Sequence, residues 1–145
     1  MQTHNNPDNA QVWLLDEHRI VRRTLIEYCF KKHFPAYSIA EFADAAAVMK
    51  ACKMQLKKGD WPLLFITDFN HAGANGIELA SYIRDLEKHN SVMGMHIVLF
   101  SMVSETILAA TAKQADNPVN KIFSKADDME RLIHYLGEIL HSPKT

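Results

Sequence analysis

Several features that would settle a class at once are scarce or missing in this chain. Only two cysteines, Cys29 and Cys52, occur in 145 residues, and both fall beside apolar neighbours in helical patterns. Two such thiols point to buried side chains in a reducing compartment and away from a disulfide framework. No apolar run approaches the roughly 18 residues that a membrane span requires. The opening MQTHNNPDNA is polar and lacks the hydrophobic centre of a secretory signal. An excess of one charge is missing too. A formal net charge of -1 offers no basic field for nucleic acid, and no acidic tail is present. Internal repeats and low-complexity tracts are absent. These absences leave a cytoplasmic globular protein with no membrane segment as the expectation.

What is present fits one domain. The 48% hydrophobic and 23% charged composition is that of a globular chain, and 145 residues can bury a sizeable core. Residues 1–10 read as a leader without structure, residues 11–141 as the domain and residues 142–145 as a tail. Short apolar runs recur at Val12–Leu15, Tyr37–Ala40, Leu63–Thr67, His96–Phe100 and Lys121–Phe123. Between them apolar residues return every three to four positions, as in Ile20, Val21, Leu25, Cys29 and Phe30, the spacing of a helix face. Asp44, Asn75, Ser104 and Asp127 stand where N-caps are wanted, the last with Glu130 in capping-box spacing. Pro118 is expected to end the fourth helix near Ala115. The pattern is strand–helix repeated five times. Near-continuous apolar strands in that order predict an α/β fold with a parallel sheet covered on both faces.

In such a sheet all strand C-termini lie along one edge, so the residues that follow the runs share a neighbourhood. They are Asp16 and Glu17 after strand one, Asp68 after strand three, Ser101 after strand four and Lys125 two positions past strand five. Strand two ends in Glu41, Phe42 and Ala43, to which no site role is assigned. Asp68 is expected at the strand's exit, facing solvent, because burying an unpaired carboxylate is very unfavourable. Gathered carboxylates disfavour one another's ionisation unless a cation offsets them. A hard divalent ion such as Mg²⁺ suits carboxylate oxygens, a main-chain carbonyl and waters. With a lysine and a hydroxyl, the same set surrounds a phosphoryl group in transfer, Asp68 being the nucleophile. Taken singly, each residue has a plainer role: a helix cap for Asp16, turn chemistry for Asp68, a loop hydroxyl for Ser101, a surface cation for Lys125. Their coincidence on one edge carries the functional reading. His18 and His71 flank the pocket, where hydrogen bonding or solvent exposure is preferred to a metal role.

These residues resemble the receiver domain of two-component response regulators, from about Val12 to Leu140. VWLLDEHRIVRRTL resembles the opening strand, acidic pair and first helix, and ITDFNHAGANG resembles the phosphoacceptor loop, with Asp68, Asn70, Gly73 and Gly76 in pattern. VLFSMVSE and KIFSKADD carry the hydroxyl and the lysine as Ser101 and Lys125. The resemblance implies a flavodoxin-like, doubly wound (βα)5 fold with five parallel strands in the order 2-1-3-4-5. It also implies that Asp68 accepts a phosphoryl group from a sensor histidine kinase or a histidine phosphotransfer protein. Mg²⁺ would be held by Asp16, Glu17, Asp68 and the Asn70 backbone carbonyl, while Ser101 and Lys125 would contact the phosphoryl oxygens. Output would pass to a downstream protein, or to a second copy in a homodimer, through the helix 4–strand 5–helix 5 face. The implied activity is a phosphoacceptor switch with at most self-phosphorylation and autodephosphorylation, not that of an enzyme.

The chain departs from the pattern at several positions. Ala72 and Ala126 replace prolines, Met102 replaces a small residue near the acceptor, and KQADNPVNK lacks the usual Ala-Gly and is longer. Ile122 stands where an aromatic switch residue is expected, with Phe123 on the other sheet face by alternation. These departures keep a second reading open, a pseudo-receiver scaffold or adaptor that works without phosphorylation. An Mg²⁺ phosphohydrolase is a weaker third, since Asn70 stands where such enzymes carry a second acid.

Overall fold

Alternation of side chains along a strand sends successive residues to opposite faces, and here both faces are apolar. The computed structural model describes residues 3–4, 9–70, 75–124 and 129–140. Its strands are β1 (Thr3–His4), β2 (Val12–Leu15), β3 (Ile39–Phe42), β4 (Leu64–Thr67), β5 (His96–Ser101) and β6 (Lys121–Ser124). They form a parallel sheet in the order β1-β3-β2-β4-β5-β6. Counted from Val12, the five strands expected from the sequence stand as 2-1-3-4-5, the flavodoxin-like arrangement.

Among the described residues, five helical runs cover the sheet. They are α1 (residues 19–33), α2 (Ala45–Lys58), α3 (Gly76–Asn90), α4 (Glu105–Gln114) and α5 (Met129–Leu140). On one face Trp13, Leu15, Phe65 and Ile97 pack with Val48 and Cys52 of α2 and with Leu79 and Ile83 of α3. On the other, Val12, Leu14, Ile66 and Val98 meet Leu25, Ile26 and Phe30 of α1 and Leu132 and Leu136 of α5. A smaller cluster, Leu99 with Ile77, Leu108 and Ala112, seats α4. The middle of α1, Leu25–Phe30, is wound as a π-helix, and Leu25, Ile26, Cys29 and Phe30 are all buried there. No helix among the described residues is long and apolar enough to cross a membrane.

The caps follow local chemistry. Asp44 accepts from Ala47 N, Ser104 accepts from Thr106 N, and Asn75 forms a reciprocal capping box with Glu78. The α4 helix stops at Gln114, with Ala115 as its C-cap, as Pro118 requires. The expected cap at Asp127 lies outside the described residues. The lengthened approach to β6 is clamped from α3: Arg84 donates to Pro118 O at 2.9 Å and to Asn120 Oδ1 at 2.7 Å. Buried Glu87 completes this network, taking hydrogen bonds from Trp61 Nε1 at 2.9 Å and Met95 N at 2.7 Å.

Two expectations need correction. The polar leader is not wholly without structure, because Thr3 and His4 pair in parallel with Ile39 and Ala40. An edge strand is held by main-chain groups, so it needs no apolar periodicity to announce it. Strand two begins two residues later than its apolar run suggested and includes Glu41 and Phe42. Tyr37 instead sends its hydroxyl to Leu140 O at 2.6 Å.

Burial fixes the chemistry of the cysteines. It pushes the thiols of Cys29 and Cys52 up to about 12. The native protein at pH 8 should therefore consume no aromatic-disulfide thiol reagent within minutes, and two equivalents once unfolded in guanidinium. Prompt reaction of the native protein would contradict the packing described.

Candidate functional site

Register brings the two acids together. Leu15 pairs with Thr67, so the next residues, Asp16 and Asp68, leave adjacent strands side by side. The ladder continues through both: Asp16 N donates to Phe42 O at 3.3 Å and Asp68 N to Leu15 O at 3.1 Å. Asp16 is 3% exposed and Asp68 8%. Asp68 thus lies at the strand's exit as expected but is buried, not open to solvent. The start of α3 packs over it, with Gly76 N donating to Phe69 O at 2.7 Å.

Each carboxylate is oriented locally. Asp68 Oδ1 accepts from Phe69 N at 2.8 Å, while Thr67 Oγ1 donates to Asp68 O at 2.9 Å. Asp16 Oδ1 accepts from His18 N at 2.9 Å and lies 3.1 Å from His18 Nδ1. One ligand-bearing atom from each of Asp16, His18 and Asp68 falls within 4.8 Å of the others. Glu17, half exposed, lies outside this group, with Oε1 3.9 Å from His18 Nε2. Two buried carboxylates beside an imidazole form a donor set that a divalent cation fits.

Ser101 ends β5 beside Ser124, one register step beyond the level of Asp68. It is buried, and its Oγ accepts from Val103 N at 3.2 Å. Asn70 is exposed. Lys125 follows β6 directly but lies outside the described residues, as do His71, Ala72, Gly73 and Ala126. Met102 is exposed in the turn after β5. Ile122 packs with Leu99 and Leu108 under α4, whereas Phe123 joins Phe100 and Leu132 on the opposite face, as alternation predicts.

Sequence reasoning passed over an ion-pair bracket beside the acids. Arg22 of α1 donates from Nη1 to the Asp16 carbonyl and from Nε to Glu41 Oε1 at 3.1 Å. Arg23 Nη1 adds a 3.5 Å contact to Glu41 Oε2. Glu41 therefore ties the first turn of α1 to the end of β3 and fixes the main chain at Asp16. Two consecutive arginines stand out in the sequence, but nothing there names their partner, which lies 19 residues away from Arg22.

Gly76 sets the fit of α3 against the end of β4. A Cβ there would collide with the Asp68 carbonyl oxygen and approach Leu99 Cδ2 to 2.8 Å. At Gly137, on α5, a Cβ meets nothing within 4 Å. In urea unfolding, Gly76→Ala should cost about 2 kcal/mol or more through overpacking. Gly137→Ala should be neutral or stabilise by up to about 1 kcal/mol. Equal stability of the two variants would refute the close approach.

No protein-family model matches the chain, and no curated protein matches it in sequence. Solved structures do match it. The receiver domain of the histidine kinase CKI1 from Arabidopsis thaliana, complexed with Mg²⁺ and BeF₃⁻, superposes with a TM-score of 0.72 at 16% identity, covering 95% of each chain. The signal receiver domain of a DNA-binding response regulator from Colwellia psychrerythraea gives 0.72 at 10% identity, over 92% of this chain and 99% of that one. A co-crystal structure of the Saccharomyces cerevisiae phosphotransfer protein Ypd1 with the receiver domain of Ssk1 gives 0.68 at 19%, over 89% and 87%. The chain has the CheY-like fold of response-regulator receiver domains.

Proposed function

We propose that this chain is a phosphorylatable receiver whose acceptor is Asp68, supplied by a sensor histidine kinase or a histidine phosphotransfer protein. The observation that carries the reading is the pairing of two buried carboxylates, Asp16 and Asp68, at the C-terminal edge of a receiver-type sheet. An Asp68 carboxylate oxygen forms the new bond to phosphorus as the bond from phosphorus to the donor imidazole nitrogen breaks. The bonding pair goes to that nitrogen, which takes a proton from solvent. Asp16, Glu17 and Asp68, with the Asn70 carbonyl, would hold Mg²⁺, which when bound offsets negative charge on the carboxylates and the phosphoryl oxygens.

The remaining residues act around that bond. Ser101 Oγ accepts from Val103 N with one lone pair, leaving its own O–H to donate to a phosphoryl oxygen. Lys125, first after β6, would supply a cation to the same oxygens. Arg22 and Glu41 hold Asp16 at its carbonyl, so that its carboxylate keeps its place as charge accumulates.

Added charge at this rim would bias a pre-existing two-state equilibrium and be read by a cytoplasmic protein partner, or a second copy, at the α4–β6–α5 face. The chain then works as a switch and not as an enzyme. Ile122, packed on Leu108 where a ring flip would otherwise be the readout, favours a second reading, a scaffold that engages its partner without phosphorylation.

Incubation with acetyl phosphate and Mg²⁺ should add one phosphoryl group by intact mass, labile to hydroxylamine and absent in Asp68→Asn. Wild type that stays unlabelled while folded would refute the switch. A partner complex that forms equally with Asp68→Asn and with either state of wild type would establish the scaffold.

A further inference from the structure

We infer that His18 is a ligand of the cation held between Asp16 and Asp68, and that its imidazole makes the site one for a first-row transition ion such as Mn²⁺ as well as for Mg²⁺. The inference rests on the reading of that rim as a cation site. It assigns a nitrogen donor that an all-oxygen magnesium site does not contain.

Geometry comes first. His18 precedes α1 in an extended conformation, φ -89 and ψ 111, and its N–H donates to Asp16 Oδ1. This bond holds the ring over the carboxylate, with Nδ1 3.1 Å from Asp16 Oδ1. Neighbouring ligands of an octahedral ion with bonds of about 2.1 Å lie about 3 Å apart. Opposite ligands lie about 4.2 Å apart on the same geometry. A nitrogen of His18 and oxygens of Asp16 and Asp68, all within 4.8 Å, can therefore share one ion with only small side-chain adjustments.

Chemistry points the same way. Nε2 of the same ring faces Glu17 Oε1 at 3.9 Å. A histidine that binds metal through one nitrogen characteristically gives its other N–H to a carboxylate, which fixes the tautomer and raises ligand basicity. At 3.9 Å this contact is longer than a hydrogen bond, and a rotation of the half-exposed Glu17 side chain would bring it into that outer role when a transition ion is bound in place of Mg²⁺. The His18 side chain is 65% exposed, so it reaches the ion without opening the core. Imidazole suits transition ions, whereas Mg²⁺ prefers oxygen and keeps its waters. His18 should therefore add affinity for Mn²⁺ and little for Mg²⁺.

The test uses the full chain with Mn²⁺ as probe and Mg²⁺ as competitor. Pulsed EPR of bound Mn²⁺ should show nitrogen hyperfine modulation that His18→Gln abolishes. The same substitution should weaken Mn²⁺ binding at least about tenfold, with Mg²⁺ affinity unchanged. Asp68→Asn should weaken both ions, which locates the site. Mn²⁺ bound without nitrogen modulation, and with equal affinity in His18→Gln, would overturn the role of His18 while leaving the cation site standing. Absence of binding by either ion to folded wild type would overturn the cation site as well.

Discussion

The adjacency of two buried carboxylates at neighbouring strand exits is the constraint on which the rest of the site depends. Parallel pairing of β2 with β4 leaves no freedom here, because once Leu15 is opposite Thr67 the following acids must be neighbours. Like charges in a poorly solvated rim repel one another and need a compensating cation or donor. A divalent ion, or a set of donors around a phosphoryl group, would meet that need at this edge.

The surroundings hold those carboxylates still. Arg22 grips the Asp16 carbonyl and the Glu41 carboxylate together, fixing the first turn of α1 against β3. Gly76 lets α3 start in contact with the Asp68 carbonyl, next to the buried Asp68 side chain. At the opposite end of the sheet, Glu87 and Arg84 fasten the start of β5 and the approach to β6. The two ends are built differently: one joins Glu87 and Arg84 in a hydrogen-bonded network, and the other sets two carboxylates side by side.

Much of this was legible in the residues. Apolar runs located β2, β4, β5 and β6 to within a residue or so, since strands buried on both faces need little else. Asp44, Asn75 and Ser104 marked helix starts because their side chains accept from orphan N–H groups wherever a helix begins. Strand ends then placed Asp16, Asp68 and Ser101 on one edge, and register bears that out. The burial of Asp68 was not visible, because it depends on how closely Gly76 approaches. Nor were the Arg22–Glu41 bracket, the Glu87 network or the edge strand β1, each of which joins residues far apart by polar or main-chain contacts that leave no periodic trace. The fold is shared with the CKI1 receiver domain at 16% identity, since cores tolerate many apolar exchanges while volume and patterning are kept.

A divalent cation held by the paired carboxylates at this rim would add to the stability of the native state. Urea unfolding of wild type and Asp68→Asn, each in chelator and in saturating Mg²⁺, tests it directly. Mg²⁺ should stabilise wild type, by about 2.7 kcal/mol at a hundredfold excess over Kd. Asp68→Asn should be the more stable protein in chelator and gain little from the ion. Wild type indifferent to Mg²⁺, with Asp68→Asn the less stable protein in chelator, would contradict it.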